Sequence, residues 1–156
     1  MRLLRSLALI ATVGCAGTTG SAASATPPPR WERIALSRTC PAKCAKYRVL
    51  LSRNGVAAYH GEADAPMRGD YAATIDTSRF DSLAAVLASN HVLTMDTLYT
   101  VNTFDVPETR LCVTTSEFGR CIRAYGDLPY SLGKAANAID ATTKRLKWDA
   151  ASPPPN

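Results

Sequence analysis

The chain has 156 residues, 46% of them hydrophobic and 7% aromatic, with 18 Lys and Arg against 13 Asp and Glu for a formal charge of +5. The stretch between its proline-rich ends, about 120 residues, suits one domain with a real but small core. A modest basic excess without interleaved basic and aromatic residues argues against nucleic acid as a partner.

The first stretch, MRLLRSLALIATVGC, carries Arg2 and Arg5 ahead of an apolar run from Leu7 to Val13, a secretory leader too short to span a bilayer. Export is therefore expected. Thr12-Val13-Gly14-Cys15 resembles the lipobox of bacterial lipoproteins, with Thr12 where Leu is usual, so residues 1–15 read as a signal peptide and Cys15 as the lipidation site. Cleavage after Ala23-Ser24-Ala25 is the alternative, and it leaves a long gap of about twelve residues between apolar run and scissile bond. Residues 16–30 then form a tether that stiffens at its prolines. The expected location is the periplasm, outer membrane if Gram-negative, with membrane contact through the lipid anchor only.

Losing Arg2 and Arg5 with the leader lowers the charge from +5 to +3. The remainder is segregated: seven bases and one acid from Arg30 to Arg53, then eight acids and two bases from Glu62 to Glu108. Such a dipolar surface suits an anionic headgroup, a wall polymer or an acidic protein.

Residues 31–149 are expected to form the single domain, and 150–156 a disordered proline-rich tail. Its first strand is Arg33 to Ser37, with Ile34 and Leu36 on one face. After the cysteine loop comes a hairpin around Arg53-Asn54-Gly55. A three-residue loop with Gly55 left-handed pairs Val49 with Tyr59 and Leu51 with Ala57, which puts Tyr47, Val49, Leu51, Ala57 and Tyr59 on one apolar face. Arg48, Ser52 and His60 then point outward.

Tyr71 to Ile75 reads as a strand. Asp76 to Asn90 reads as a helix capped by Thr77 or Ser78, with Asp81 near its positive end and a buried stripe of Phe80, Leu83, Val86 and Leu87. Residues 92–108 have no clear period. Two further strands, Thr109 to Thr115 and Arg120 to Ala124, flank Glu117-Phe118-Gly119. A helix from Pro129 to Lys147 follows, with Leu132, Ala136, Ile139, Thr143 and Leu146 facing inward. The order β-β-β-β-α-β-β-α makes an α+β domain, a small antiparallel sheet covered by two helices.

Apart from Cys15 there are four cysteines, an even number in an oxidising compartment, which points to two disulfides. Cys112 and Cys121 lie opposite each other if the second hairpin closes around Ser116 and Glu117, leaving Cys40 for Cys44. Chain entropy assigns about 2 kcal/mol to the shorter loop and about 2.7 to the longer. A redox role for Cys40 and Cys44 would need a lowered thiol pKa, for which Arg38, Lys43 and Lys46 are near in sequence. The spacing is not C-x-x-C and no βαβ unit surrounds it, so a structural staple is the expectation.

Arg38-Thr39-Cys40-x-x-x-Cys44-x-x-Tyr47, followed by Asn54-Gly55, a strand with Tyr59 and Gly61, and a helix with Phe80 and Leu83, resembles an uncharacterised family of bacterial secreted and lipoprotein domains of unknown function. Its members open with R-T-x-C-x-G-x-C-P-x-Y, and the likeness covers roughly residues 33–140. This chain has one residue fewer between Thr39 and Cys40, Ala42 for Gly and Ala45 for Pro. The resemblance implies fold and compartment and brings no activity.

Enzymatic signals are sparse. His60, Glu62 and Asp64 share a strand face by alternation, but Gly61 and the coming turn disturb that geometry, and no metal or other cofactor is expected. His91 sits at a helix end. There is no G-x-S-x-G elbow and no nucleotide fingerprint. Residues 92–108, long for a structureless connection, carry Leu98, Tyr99 and Phe104 among Asp96 and Asp105, an apolar and acidic mixture suited to a protein partner. The expectation is thus a monomeric, non-catalytic binding module of the cell envelope, of inhibitor or immunity type, for a protein or cell-wall polymer. The alternatives are a thiol-disulfide oxidoreductase and a purely structural envelope component.

Overall fold

The computed structural model describes residues 28–41 and 43–151. Cys15, both cleavage sites and most of the tether and tail therefore lie outside the described residues. The strands are β1 (Trp31–Thr39), β2 (Tyr47–Ser52), β3 (Val56–Gly61), β4 (Gly69–Thr74), β5 (Leu98–Tyr99), β6 (Glu108–Thr115), β7 (Gly119–Tyr125) and β8 (Asp149–Ala150). The helices are α1 (Thr77–Ser89) and α2 (Tyr130–Lys144). One eight-stranded sheet runs in the order β5-β7-β6-β1-β2-β3-β4-β8. The expected α+β class is present, with a sheet wider than the sequence suggested.

Register follows the side-chain pattern. Val49 pairs with Tyr59 and Leu51 with Ala57, and Gly55 takes φ +98°, a left-handed value that closes the three-residue loop. Cys112 stands opposite Cys121. The inward face collects Ile34, Leu36, Val49, Leu51, Leu111, Val113 and Ile122, all at most 2% exposed, beneath α1 and α2. From α2 come Leu132, Ala135, Ala136 and Ile139, with Leu146 just beyond the helix. Among the described residues the opposite face carries no helix; its Ala35, Leu50, Ala58 and Cys112 are half-buried among Arg33, Arg48, Arg110 and Arg123.

Four details differ from the sequence reading. Asp76, not Thr77 or Ser78, caps α1: its carboxylate accepts from the Arg79 amide at 2.8 Å and from the Ser78 hydroxyl at 2.6 Å. Val86 is 40% exposed and Ala84 is buried in its place, because α1 meets the sheet through Phe80, Leu83 and Leu87. Ser52 keeps its outward side of the sheet but is buried, a short side chain sunk among Arg33, Arg53 and Thr114. Two-residue strands, β5 parallel to β7 and β8 antiparallel to β4, extend both edges, and a 3-10 turn occupies Val92–Thr94. Runs that short leave no period to read.

Phe80 is fully buried. Replacing it with Ala should cost about 3–5 kcal/mol in denaturant unfolding, whereas Val86→Ser should stay within about 0.5 kcal/mol.

The Ser78 hydroxyl and the Arg79 amide hold the Asp76 carboxyl below its usual range, and Arg53, donating to both oxygens of Asp81 at 2.9 and 3.0 Å, does the same there. A folded-state pKa below the unfolded value stabilises above the unfolded pKa and is lost as pH falls through the folded one, that is, below about pH 4. Asp76→Ala should accordingly lower Tm at pH 7. The gap from the parent should narrow in melts taken below pH 4; a constant gap would show that the carboxylate charge contributes nothing.

Candidate functional site: an aromatic groove and an apolar edge

The connection from β1 returns the chain to β2 so that Arg38 pairs directly with Tyr47. Cys40 and Cys44 are joined within this connection, Cys40 buried and Cys44 half-buried. Across the sheet, the last turns of α2 bring Asp140 over both side chains. Arg38 Nε donates to the Tyr47 hydroxyl at 3.0 Å and its Nη2 to Asp140 Oδ2 at 2.9 Å, while the Tyr47 hydroxyl donates to Asp140 Oδ1 at 2.5 Å. One carboxylate thus satisfies two donors from adjacent strands.

Burial by itself would lower the pKa of Arg38, but Tyr47 and Asp140 outweigh it and hold the guanidinium above its ordinary value. Burial and the bond to Asp140 push the Tyr47 phenol well above the ordinary range. Both groups therefore remain protonated donors across physiological pH.

Beside this triad opens a groove of about 470 Å³, within the size range of small-molecule sites. Tyr47 and Tyr59 stack with ring centroids 5.7 Å apart, and Trp148 leans on Tyr59 at 5.7 Å. The Trp148 indole donates to the Thr143 carbonyl at 2.9 Å, which fixes the ring to the end of α2. Pro66 and Met67 form the opposite wall. They reach it because the chain after β3 folds tightly over Gly61, where an added Cβ would lie 1.8 Å from the Met67 carbonyl oxygen. Any side chain at Gly61 would displace that wall.

Two polar groups in the groove are unspent. The Tyr59 hydroxyl is sealed from water with only the Met67 backbone amide near enough to donate to it, so its own proton has no acceptor, and burial raises its pKa. Lys144 lines the rim and forms no ion pair among the described residues.

The residues singled out in the sequence lie elsewhere. Leu98 and Tyr99 form β5 on the sheet edge beside Arg123 and Ala124 of β7. Tyr99 packs half-buried against the core and its hydroxyl accepts from the Asp96 amide at 3.2 Å. Phe104 is 96% exposed and Leu98 57%, with Val101 also exposed between them. Asp96 and Asp105 are exposed at either end, Asp105 with φ +57°. This edge and the groove are separate surfaces. Cys112 and Cys121 bridge β6 and β7 on the helix-free face. His60 does not gather Glu62 and Asp64; it faces Asp70 across the β3–β4 pair at 2.6 Å, and Asp64 turns away at φ +62°. His91, at φ +60°, opens the 3-10 turn.

Sequence reasoning missed Asp140, Tyr59, Lys144 and Trp148 as a group. Arg38 and Tyr47 were visible as brackets around the cysteines, and the cue to a site was that both are large polar side chains on the inward side where β1 and β2 meet the loop.

A family model described as Domain of unknown function (DUF6438) matches residues 32–143. The chain belongs to that family. None of the curated proteins matches it.

Asp140→Ala strands a half-buried guanidinium and phenol and should cost about 2 kcal/mol. In an Arg38→Met, Tyr47→Phe background the same change should cost less by about 1 kcal/mol, as read by a double-mutant cycle in urea; strict additivity would mean that the triad is not coupled.

Proposed function

We propose that this DUF6438 chain is a periplasmic, lipid-anchored, non-catalytic binding module that captures another envelope protein through its β5 edge. The observation that carries this reading is the exposure of Leu98, Val101 and Phe104 in one short segment, anchored to the sheet by β5 and flanked by the free acids Asp96 and Asp105. Isolated exposed apolar residues are ordinary, but three within seven positions make a patch that a partner's apolar pocket would desolvate. The acids at its ends favour a basic rim on that partner, which speeds encounter and makes it salt-dependent.

Two disulfides are consistent with an oxidising, exported setting. No described helix is long and apolar enough to cross a membrane, and attachment through Cys15 is part of the proposal. A structural role for the Cys40–Cys44 bridge is supported by the burial of Cys40, which leaves only the half-buried Cys44 sulfur open to an attacking thiolate.

A photo-crosslinker placed at Phe104 in cells producing the protein should give one discrete adduct, an envelope protein by mass spectrometry. The same group at Ala85, exposed on α1, should give none. Leu98→Ser should remove the adduct while leaving Tm unchanged, because neither side chain packs in the core. Adducts to peptidoglycan alone would replace the protein partner with a wall polymer, and equal labelling from both positions would defeat the edge as a recognition surface.

A further inference from the structure

The aromatic groove serves no part of the proposed edge contact, and three of its features point to a ligand. Its walls are largely aromatic and apolar, with Tyr47, Trp148 and Met67 presenting faces rather than donors. Its fixed charges do not cancel: Arg38 and Asp140 neutralise each other at 2.9 Å, and Lys144 is left over. The proton of its Tyr59 hydroxyl has no acceptor, in a residue only 4% exposed. A buried hydroxyl proton without an acceptor costs the fold free energy that Phe at the same position would not.

The same inventory narrows the ligand. An extended proline-rich peptide needs donors for its carbonyls along an aromatic groove, yet the Trp148 indole is given to Thr143 and the Tyr47 hydroxyl to Asp140. A cation would meet Lys144. What remains favourable is a flat apolar body against Tyr47 and Trp148 with one negative head for Lys144 and Tyr59.

We propose that this groove binds a small aryl carboxylate, its ring held against Trp148, one carboxylate oxygen on Lys144 and the other accepting from the Tyr59 hydroxyl. Reaching that hydroxyl requires the half-buried Met67 to swing from the wall, a movement suited to an unbranched side chain. The Arg38–Tyr47–Asp140 triad holds the floor and does not itself touch the head. Binding here is independent of the β5 edge, so either reading stands or falls without the other.

The test uses the exported, oxidised chain and phenylacetate, followed at the Trp148 indole signal in heteronuclear NMR. Saturable shifts are expected, with phenylacetamide at least about tenfold weaker for want of charge. Lys144→Gln and Tyr59→Phe should each weaken phenylacetate about fivefold or more. Tyr59→Phe should do so with Tm unchanged or raised, because it removes an unsatisfied group; a purely structural tyrosine would lower Tm instead. The proposal is overturned if phenylacetate gives no saturable shift up to about 10 mM, if the amide binds equally, or if Tyr59→Phe binds as the parent does. Tighter binding of octanoate would overturn the aryl assignment.

Discussion

Two helices have to bury one whole face of an eight-stranded sheet, and the arrangement depends on how the second of them is held. Apolar packing of Leu132, Ala135, Ala136 and Ile139 presses α2 onto the sheet but is nearly indifferent to small slides along it. Asp140 removes that freedom. Its two oxygens accept from Arg38 on β1 and Tyr47 on β2, so the helix is pinned in rotation and translation at the same point. The sheet's own register is pinned at the far end of the first hairpin by Gly55, where a left-handed residue is needed to close the loop. Between these two fixed points the inward side chains have one way to meet.

The unclosed face follows from the same economy. About 120 residues provide only two helices, enough for one side of the sheet. The other side relies on small residues sheltered by long ones: Ala35, Leu50 and Ala58 lie among Arg33, Arg48 and Arg110, whose aliphatic stems cover apolar surface while their charged ends stay wet. The Cys112–Cys121 bridge lies on this face too, where no helix supports the β6–β7 pair. Like charges on those arginines also discourage a second sheet from stacking there.

Much of this was legible in the sequence, and the parts that were not share a cause. Alternation in Tyr47 to Tyr59 fixed the first hairpin to the residue, because a slip by one would have turned His60 into the core opposite Val49. The pairing of Cys112 with Cys121 followed from a second hairpin closing around Ser116 and Glu117. Val86 was misjudged because a helical stripe specifies an arc of positions and not its edges, and packing against a twisted sheet selected Ala84 instead. β5 and β8, two residues each, lie below any period, and they exist through hydrogen bonds to strands already formed. The groove was invisible for a different reason. Its members come from sequence positions as far apart as Arg38 and Trp148, and each has an ordinary local explanation as a strand end, a core tyrosine or a helix terminus. Only the fold makes them neighbours.

That convergence also changes what the short disulfide is for. A bridge closing so small a loop contributes about 2 kcal/mol through chain entropy, little more than one good buried methyl group or two. Its position is worth more than that figure suggests. Arg38 and Tyr47 form the last pair between β1 and β2, and the loop beyond them determines whether their side chains reach the same carboxylate. Without the Cys40–Cys44 link the strands would still pair, since their register is set from Ile34 to Leu51. Their ends, however, would be free to fray at the point where α2 is fastened and where the groove begins. The bridge thus acts on geometry at a junction more than on overall stability, and this gives a purpose to a disulfide placed where its entropic value is smallest.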